Sequence, residues 1–354
     1  MTRAKTAHLS GIGHRNGVSI SDVASEANVS IATVSRVINT PEKVAAATAE
    51  RVQETIKRLR YRPNMFAKGL VTRRSRVLGV SLPNLHGDYY SALMRAADER
   101  AHELGYHLLV TSSANEPDEE SSGFAMDLID GLITMITESD ADIETLKRMH
   151  VPAAAVVARV TDDLPFDTIT VDNGSGAREA TAHLLGGTAA EHCYIVAGHE
   201  GNFDSDARCR AFVETLARAG HDANDDQVAH GEYAVAWGRE WANAMIHSGK
   251  LAGAAVLAGN DEIAVGVIDS AIDAGMSVPG DLRVVGFDDS PVCRLLRPKL
   301  SSVHVPVRAV AIAAVDAVIH RIEQPDAEPA RVELTTRLVI RDSSTPVFGT
   351  EKDR

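Results

Sequence analysis

From Val77 onward the chain alternates short runs rich in Val, Ile and Ala with amphipathic stretches of helical spacing, and few folds accommodate that rhythm. The runs are RVLGVSL, HLLVTSS, GLITMIT, VPAAAVV and TITVDN, then HCYIVAG, QVAHGEY, GAAVLAG and LRVVGF. Between them lie residues 90–104, a helix before GLITMIT, ARCRAFVETLARAG and DEIAVGVIDSAIDAG. Strands this apolar, alternating with helices, imply parallel sheets covered on both faces. Two such halves predict a doubly wound, two-lobed α/β body over residues 77–345. Ligands of open parallel sheets bind beyond the carboxyl ends of the strands. The segments placed there are Asp88 to Tyr90, Asp204 to Arg208, Tyr233, Gly259 to Asp261, and Asp288 with Asp289.

Charge divides the chain in the same place. Its formal charge of −13 conceals 14 Lys and Arg against 5 Asp and Glu in residues 1–76, and 22 against 44 in the remainder. A module of net +9 suits an anionic polymer, and a body of net −22 must do something else. Hydrophobic residues make up 44% of the chain, enough for a sizeable core, but no apolar run approaches the roughly 18 residues that span a bilayer. The N-terminal MTRAKTAHLSGIGHRNG has no hydrophobic stretch of signal-peptide type, so a cytoplasmic, nucleoid-associated protein is expected. Cys193, Cys209 and Cys293 are odd in number and far apart, which reads as buried thiols in a reducing compartment; no metal or cofactor is expected.

Residues 1–17 read as a flexible basic arm, and order is predicted from Ser19. Ile20, Val23, Ala24 and Ala27 recur at helical spacing behind a Ser19-x-x-Asp22 capping pattern. Asn28 then marks a sharp turn, because Asn tolerates the left-handed conformation. A second helix starts with Ser30 as N-cap and Val34, Val37 and Ile38 as its stripe. Two short helices so joined predict a helix-turn-helix, whose second helix enters the major groove by its N-terminal end. Ile31, Ala32, Ser35 and Arg36 are then free to face base edges. Arg36 can donate a bidentate pair to guanine, worth roughly 1–3 kcal/mol of discrimination. A third helix is predicted over TAERVQETIKRLR, with Val52, Ile56 and Leu59 inward, and Pro63 ends the module.

The run SISDVASEANVSIATVSRVIN, followed by Thr48, Val52 and YRPNMFAKGL, resembles the DNA-binding headpiece (residues 18–63) and hinge (64–76) of the LacI/GalR family of transcriptional regulators. That resemblance implies that Ser30, Thr33, Ser35, Asn39, Thr48, Tyr61 and Asn64 hold phosphates and register. It also implies that Leu70 is a wedge pushed into the minor groove at the operator centre, an established way to kink a duplex. Two residues depart from the pattern. Ala45 stands where a capping Ser is usual, and Gly69 lowers hinge helicity by up to about 1 kcal/mol.

VDN at Val171 to Asn173, AGND from Ala258 and VVGFDD from Val284 extend the likeness to a periplasmic-binding-protein-like core. By that likeness Arg208, Asn260 and Asp288 are effector contacts, Tyr89 and Tyr233 aromatic walls, and Asp204 replaces a more usual Ser or Thr. Carboxylate, amide and guanidinium beside aromatic faces suit a polyhydroxylated ligand, so a sugar or sugar derivative is expected. The acid at Asp204 favours an amino or other cationic group, and a purine-like ligand is the alternative. Asn260 with Asp261 also reads as a helix N-cap, Asp288 with Asp289 as a cap, and Tyr233 as core.

The implied function is a repressor acting as a homodimer on a near-palindromic operator in double-stranded DNA. Part of the helix carrying Ile263, Val267, Ile268 and Ile272 is expected at the dimer contact. The ten residues after RLVIRDSS, with a tail at 346–354, are too few for a tetramerising coiled coil. An enzyme is the competing class, but GIGHRNG neither follows a strand nor opens a helix, and P-loop, HExxH and GxSxG patterns are absent. The pairs Asp162-Asp163 and Asp225-Asp226 read as solvated acids. A transport binding protein shares the two-lobed body but needs export.

Overall fold

The computed structural model describes residues 18–61, 74–83, 85–112, 128–136, 144, 152–157 and 164–345. The chain divides into two compact units, residues 1–75 and 76–354. The expected arm and tail, the helix before GLITMIT, Asn64, Leu70 and Gly69 lie outside the described residues, as does Asp162-Asp163.

In the first unit, α1 (Ile20–Glu26) begins at the expected capping box: Asp22 N–H donates to Ser19 Oγ at 3.3 Å and Ser19 N–H returns a bond to Asp22 at 2.8 Å. Asn28 has φ +49, the left-handed turn foreseen for it. Helix α2 (Ile31–Asn39) is capped by Ser30 Oγ, which accepts from Thr33 N–H at 3.1 Å. Helix α3 (Ala46–Leu59) starts two residues earlier than its apolar stripe suggested, and Ala45 offers it no side-chain cap. Val23, Ala24, Ala27, Val34, Val37, Ala49 and Val52 form the buried core. Two cations of α3 are spent on α1: Arg51 donates to Ala27 O at 3.1 Å and Arg58 pairs with Glu26 at 2.8 Å.

The second unit is two doubly wound lobes. Its elements run β1 (Val77–Leu82), α4 (Asp88–Glu103), β2 (His107–Ser112), β3 (Gly131–Ile136), β4 (Ala153–Val157), β5 (Asp167–Val171), α5 (Asn173–Leu185) and β6 (Cys193–Ala197). They continue as α6 (Phe203–Arg218), β7 (Val228–His230), α7 (Val235–His247), β8 (Ala254–Ala258), α8 (Asp261–Asp273), β9 (Leu282–Asp288) and α9 (Val292–Leu295). The chain closes with β10 (Ser301–His304), α10 (Val307–Glu323), β11 (Arg331–Leu334) and β12 (Arg337–Val339). One sheet has the order β11-β5-β4-β3-β1-β2 and the other β12-β10-β9-β8-β6-β7. Pairing is parallel throughout except between β10 and β12.

Each lobe therefore borrows from late in the chain. In the first, Val310, Ala314, Val315 and Val318 of α10 pack with Leu78, Val80, Leu82, Leu93 and Ile169. In the second, the faces of the sheet are covered separately, by Phe212 and Leu216 on one side and by Trp241, Ile263 and Val267 on the other. The chain crosses between lobes at β5 to α5, β10 to α10 and β11 to β12. Two of these crossovers are tied together: Asp172 N–H donates to Leu334 O at 2.9 Å, and Thr336 Oγ1 donates to Asp172 O at 2.8 Å. Gly176 lies there without room for a Cβ against Thr336 and Val303.

Ile263, Val267 and Ile268 belong to their own lobe's core, because α7 covers that face of α8; only Ile272 stays exposed, at 47%. Apolar residues on more than one face of α8 thus reflect burial on two sides within a lobe.

Candidate functional site

Within the first unit, the residues placed at base edges cluster at the N-terminal end of α2. Ile31 is 50% exposed, an unusual position for a large apolar side chain, and Ala32 and Arg36 are exposed beside it. Ser35 is half-buried and its hydroxyl accepts from Asn39 Nδ2 at 3.3 Å, so those two form one polar ridge a turn apart. Ser30 and Thr33 share a hydroxyl hydrogen bond of 2.9 Å at the helix start, where unpaired backbone N–H groups favour an anion. Thr48 is half-buried in the first turn of α3. Tyr61 packs on the headpiece core, and burial pushes its phenol up.

In the second unit, the segments after β6, β8 and β9 lie against the first turn of α4, which belongs to the other lobe. Arg208 is the centre. Burial works against its charge, but Tyr233, Asp204, Asp288 and Tyr89 nearby outweigh it and hold the guanidinium above its ordinary range. Nε donates to Asn173 Oδ1 at 2.9 Å and Nη1 to Gly259 O at 2.5 Å, while the guanidinium lies 3.8 Å from the Phe287 ring centroid. Stacking on Phe287 and the carbonyl replace the water the cation has lost.

Asp204 accepts from Asn173 Nδ2 at 2.7 Å. Asp288 sits at the end of β9 with φ +104, a conformation side chains rarely adopt, and its O accepts from Val305 N–H in the second crossover at 3.4 Å. Burial, and after it the neighbouring acids Asp261, Asp204 and Glu262, push its carboxyl well above the usual range, with Arg208 opposing. Tyr89 comes from the other lobe; burial, and after it the Asp204 and Asp288 carboxylates, drive its phenol up. Tyr233 is likewise driven up by burial, and it fills the space over Gly198, where no Cβ would fit.

Tyr89, Asp204, Arg208, Tyr233 and Asp288 are thus brought together around one cleft with walls from both lobes. Asn260 differs. Its Oδ1 accepts from Ile263 N–H at 2.9 Å as the N-cap of α8, the plainer of its two readings, which leaves Nδ2 for other work. Asp289 and Asp261 are structural: Asp289 pairs with Arg341 at 2.5 Å and His304 at 3.2 Å, and Asp261 accepts from Ser302 Oγ at 2.6 Å and Ser290 N–H at 2.7 Å. Asp226 pairs with Lys250 at 3.0 Å on the surface, the solvated reading.

Three cleft residues escaped the sequence reading: Asn173, Phe287 and Glu262. Glu262, raised by burial and by Asp88, has Oε1 so close to Gly87 of the opposite lobe that a Cβ there would lie 3.1 Å away. Phe287 precedes Asp288 and could have been read from strand alternation; the other two depend on contacts across lobes or remote segments.

Among the described residues no cluster of His, Cys, Asp and Glu could hold a metal, and no helix is long and apolar enough to cross a membrane. All three thiols are buried, and burial pushes those of Cys193 and Cys209 up to about 11.

The comparisons with known proteins agree with this arrangement. Residues 19–64 match the model of bacterial regulatory proteins of the lacI family, and residues 181–344 match a periplasmic binding protein-like domain. Catabolite control protein A of Priestia megaterium is 30% identical over 334 residues, 92% of this chain and 99% of that protein. Its counterpart in Staphylococcus aureus strain Mu50 is 31% identical over 92% and 99%. Among solved structures, the Lac repressor dimer bound to operator and the anti-inducer ONPF superposes with a TM-score of 0.81 at 25% identity, covering 94% of this chain and all of that one. The fold is shared as well with a transcriptional regulator CelR–cellobiose complex, at TM-score 0.70 and 24% identity over 92% of this chain and all of that one. With helix-turn-helix, two-lobed core and full-length relatives in agreement, the chain belongs to the lacI family of bacterial regulatory proteins.

Proposed function

We propose that this protein is a homodimeric repressor that binds a near-palindromic operator through its headpiece and releases or tightens its grip when a sugar or sugar derivative fills the cleft. It works in the cytoplasm, at the nucleoid. Residues 1–17 form the arm, 18–63 the headpiece, 64–76 the hinge, 77–345 the core and 346–354 the tail. At the DNA, Ile31, Ala32 and Arg36 read bases; Ser30, Thr33, Ser35, Asn39, Thr48, Tyr61 and Asn64 hold phosphates, and Leu70 wedges the operator centre. In the cleft, Tyr89, Asp204, Arg208, Tyr233, Asn260 and Asp288 contact the effector.

The observation that supports this best is the buried Arg208, flanked by Asp204 and Asp288 and walled by Tyr89 and Tyr233 from opposite lobes. Donors in a fixed fork beside carboxylate acceptors and aromatic faces match alternating hydroxyls and apolar ring faces of a sugar. The reading is tested by selecting bound DNA from a random duplex library with the purified protein, then repeating the selection with ribose, cellobiose or glucosamine present. Enrichment of one two-fold related sequence, altered by one of the sugars, is the expected result. A library that emerges unenriched under every condition contradicts it.

A further inference from the structure

We propose that Asn173 is the positioning residue that couples effector occupancy to the arrangement of the two lobes; the proposal rests on the effector reading above. Asn173 is 3% exposed, and both ends of its amide are engaged. Oδ1 accepts from Arg208 Nε at 2.9 Å, and Nδ2 donates to Asp204 Oδ1 at 2.7 Å and to Val171 O at 3.2 Å. One short side chain therefore fixes a donor and an acceptor of the cleft, both on α6, and holds them to the last residue of β5.

The residue type follows from that task. An amide offers an acceptor to the guanidinium and a donor to the carboxylate at once. A carboxylate in its place would face Asp204 with acceptors only. An apolar residue would leave Arg208 Nε and Asp204 Oδ1 desolvated without the partner they now have.

Its position matters as much as its chemistry. Asn173 directly follows Asp172, the residue at which two crossovers are tied through Leu334 and Thr336. Hinge motion is absorbed in backbone dihedrals of a few such residues. A change at 171–172 re-aims the Asn173 amide, and the amide carries Arg208 and Asp204 with it. Arg208 has little slack for any other adjustment, since Gly259 O and the Phe287 ring hold its remaining sides. Ligand that fixes the guanidinium and carboxylate thus biases the crossover, and the crossover biases ligand affinity by the same factor.

A charge-swap cycle on the full-length protein tests this, with sugar affinity read by calorimetry and the sugar-driven change in operator affinity read by fluorescence anisotropy. The probes are ribose, cellobiose and glucosamine. N173D sets two carboxylates face to face and is expected to weaken binding of the responding sugar by about tenfold or more. N173D/D204N places a carboxylate opposite an amide again, with the donor reversed and an oxygen at position 204 still available to ligand. It is expected to recover at least about threefold of the affinity and operator response lost in N173D, short of wild type because Asp204 itself contacts the effector and Val171 O is left without its donor. Recovery by a second charge change is a signature that a merely structural residue does not give. Additive losses in the double variant overturn the proposal, as does an N173D protein with unaltered affinity and response. Should N173D fail to fold, N173A removes both the acceptor for Arg208 and the donor to Asp204; it is expected to lose most of the operator response, and a wild-type response overturns the coupling role. Wild-type protein indifferent to all three sugars overturns the effector reading itself, and the Asn173 proposal with it; a responsive wild type with a responsive N173A overturns the Asn173 proposal alone.

Discussion

At the scale of the residue, two side chains separate the two halves of the function. Arg36 is exposed on α2 and takes no part in the headpiece core. Arg36→Ala is expected to reduce discrimination between operator and scrambled duplex by about 1–3 kcal/mol while nonspecific binding survives, as read by competition anisotropy. Asp288 is the opposite case, a carboxyl raised well above 3.8 by burial and by neighbouring acids. An acid whose pKa is higher folded than unfolded binds more protons in the native state, so stability falls as pH rises through that interval. Asp288→Asn keeps a residue that tolerates φ +104 and removes the charge. Thermal unfolding without ligand is expected to show the variant melting above wild type at neutral pH, with the gap closing toward pH 4, and sugar titrations are expected to show the response lost. A variant that melts lower at neutral pH and responds normally counts against the assignment.

At the scale of the element, legibility depended on how local the cause was. Ser19 with Asp22, Asn28 and Ser30 were readable because caps and left-handed turns are settled within four residues. Residues 173–185 open with NGSG, which looks like a loop; the helix there is set by tertiary contact, with Gly176 pressed against Thr336 and Val303. Residues 307–323 are apolar around much of their circumference and belong to the lobe formed first in the chain, a topological fact no local pattern contains. The same blindness hid the burial of Ile263, Val267 and Ile268 under α7, and it hid Asn173, whose partner Arg208 lies 35 residues away. Ala45 was readable as a missing cap, and α3 indeed starts without one. Ala45→Ser is expected to stabilise the start of α3 by about 1 kcal/mol, which slows hydrogen exchange at the Thr48 amide by about fivefold. Unchanged exchange would show that this end is limited by something other than the absent cap.

At the scale of the whole molecule, a module of net +9 is joined to a body of net −22. The acidic body repels DNA, so binding must be concentrated in the headpiece through phosphate contacts, and its salt dependence should be steep. Each phosphate neutralised contributes about −0.9 to the slope of log affinity against log salt. For about six contacts, affinity should drop about a thousandfold between 50 and 200 mM salt. A shallow slope in an anisotropy series would remove the phosphate contacts assigned to the headpiece. The cleft must then act on that grip through differential affinity for two lobe arrangements, since a ligand that binds both equally shifts nothing.

Reciprocity makes this coupling measurable from either side. The decisive experiment determines the dissociation constant for the selected operator with and without saturating sugar, and the dissociation constant for the sugar with and without saturating operator, in one buffer. Two ratios that differ from one and equal each other are the predicted outcome. Ratios of one on both sides, with both ligands bound, would contradict the account.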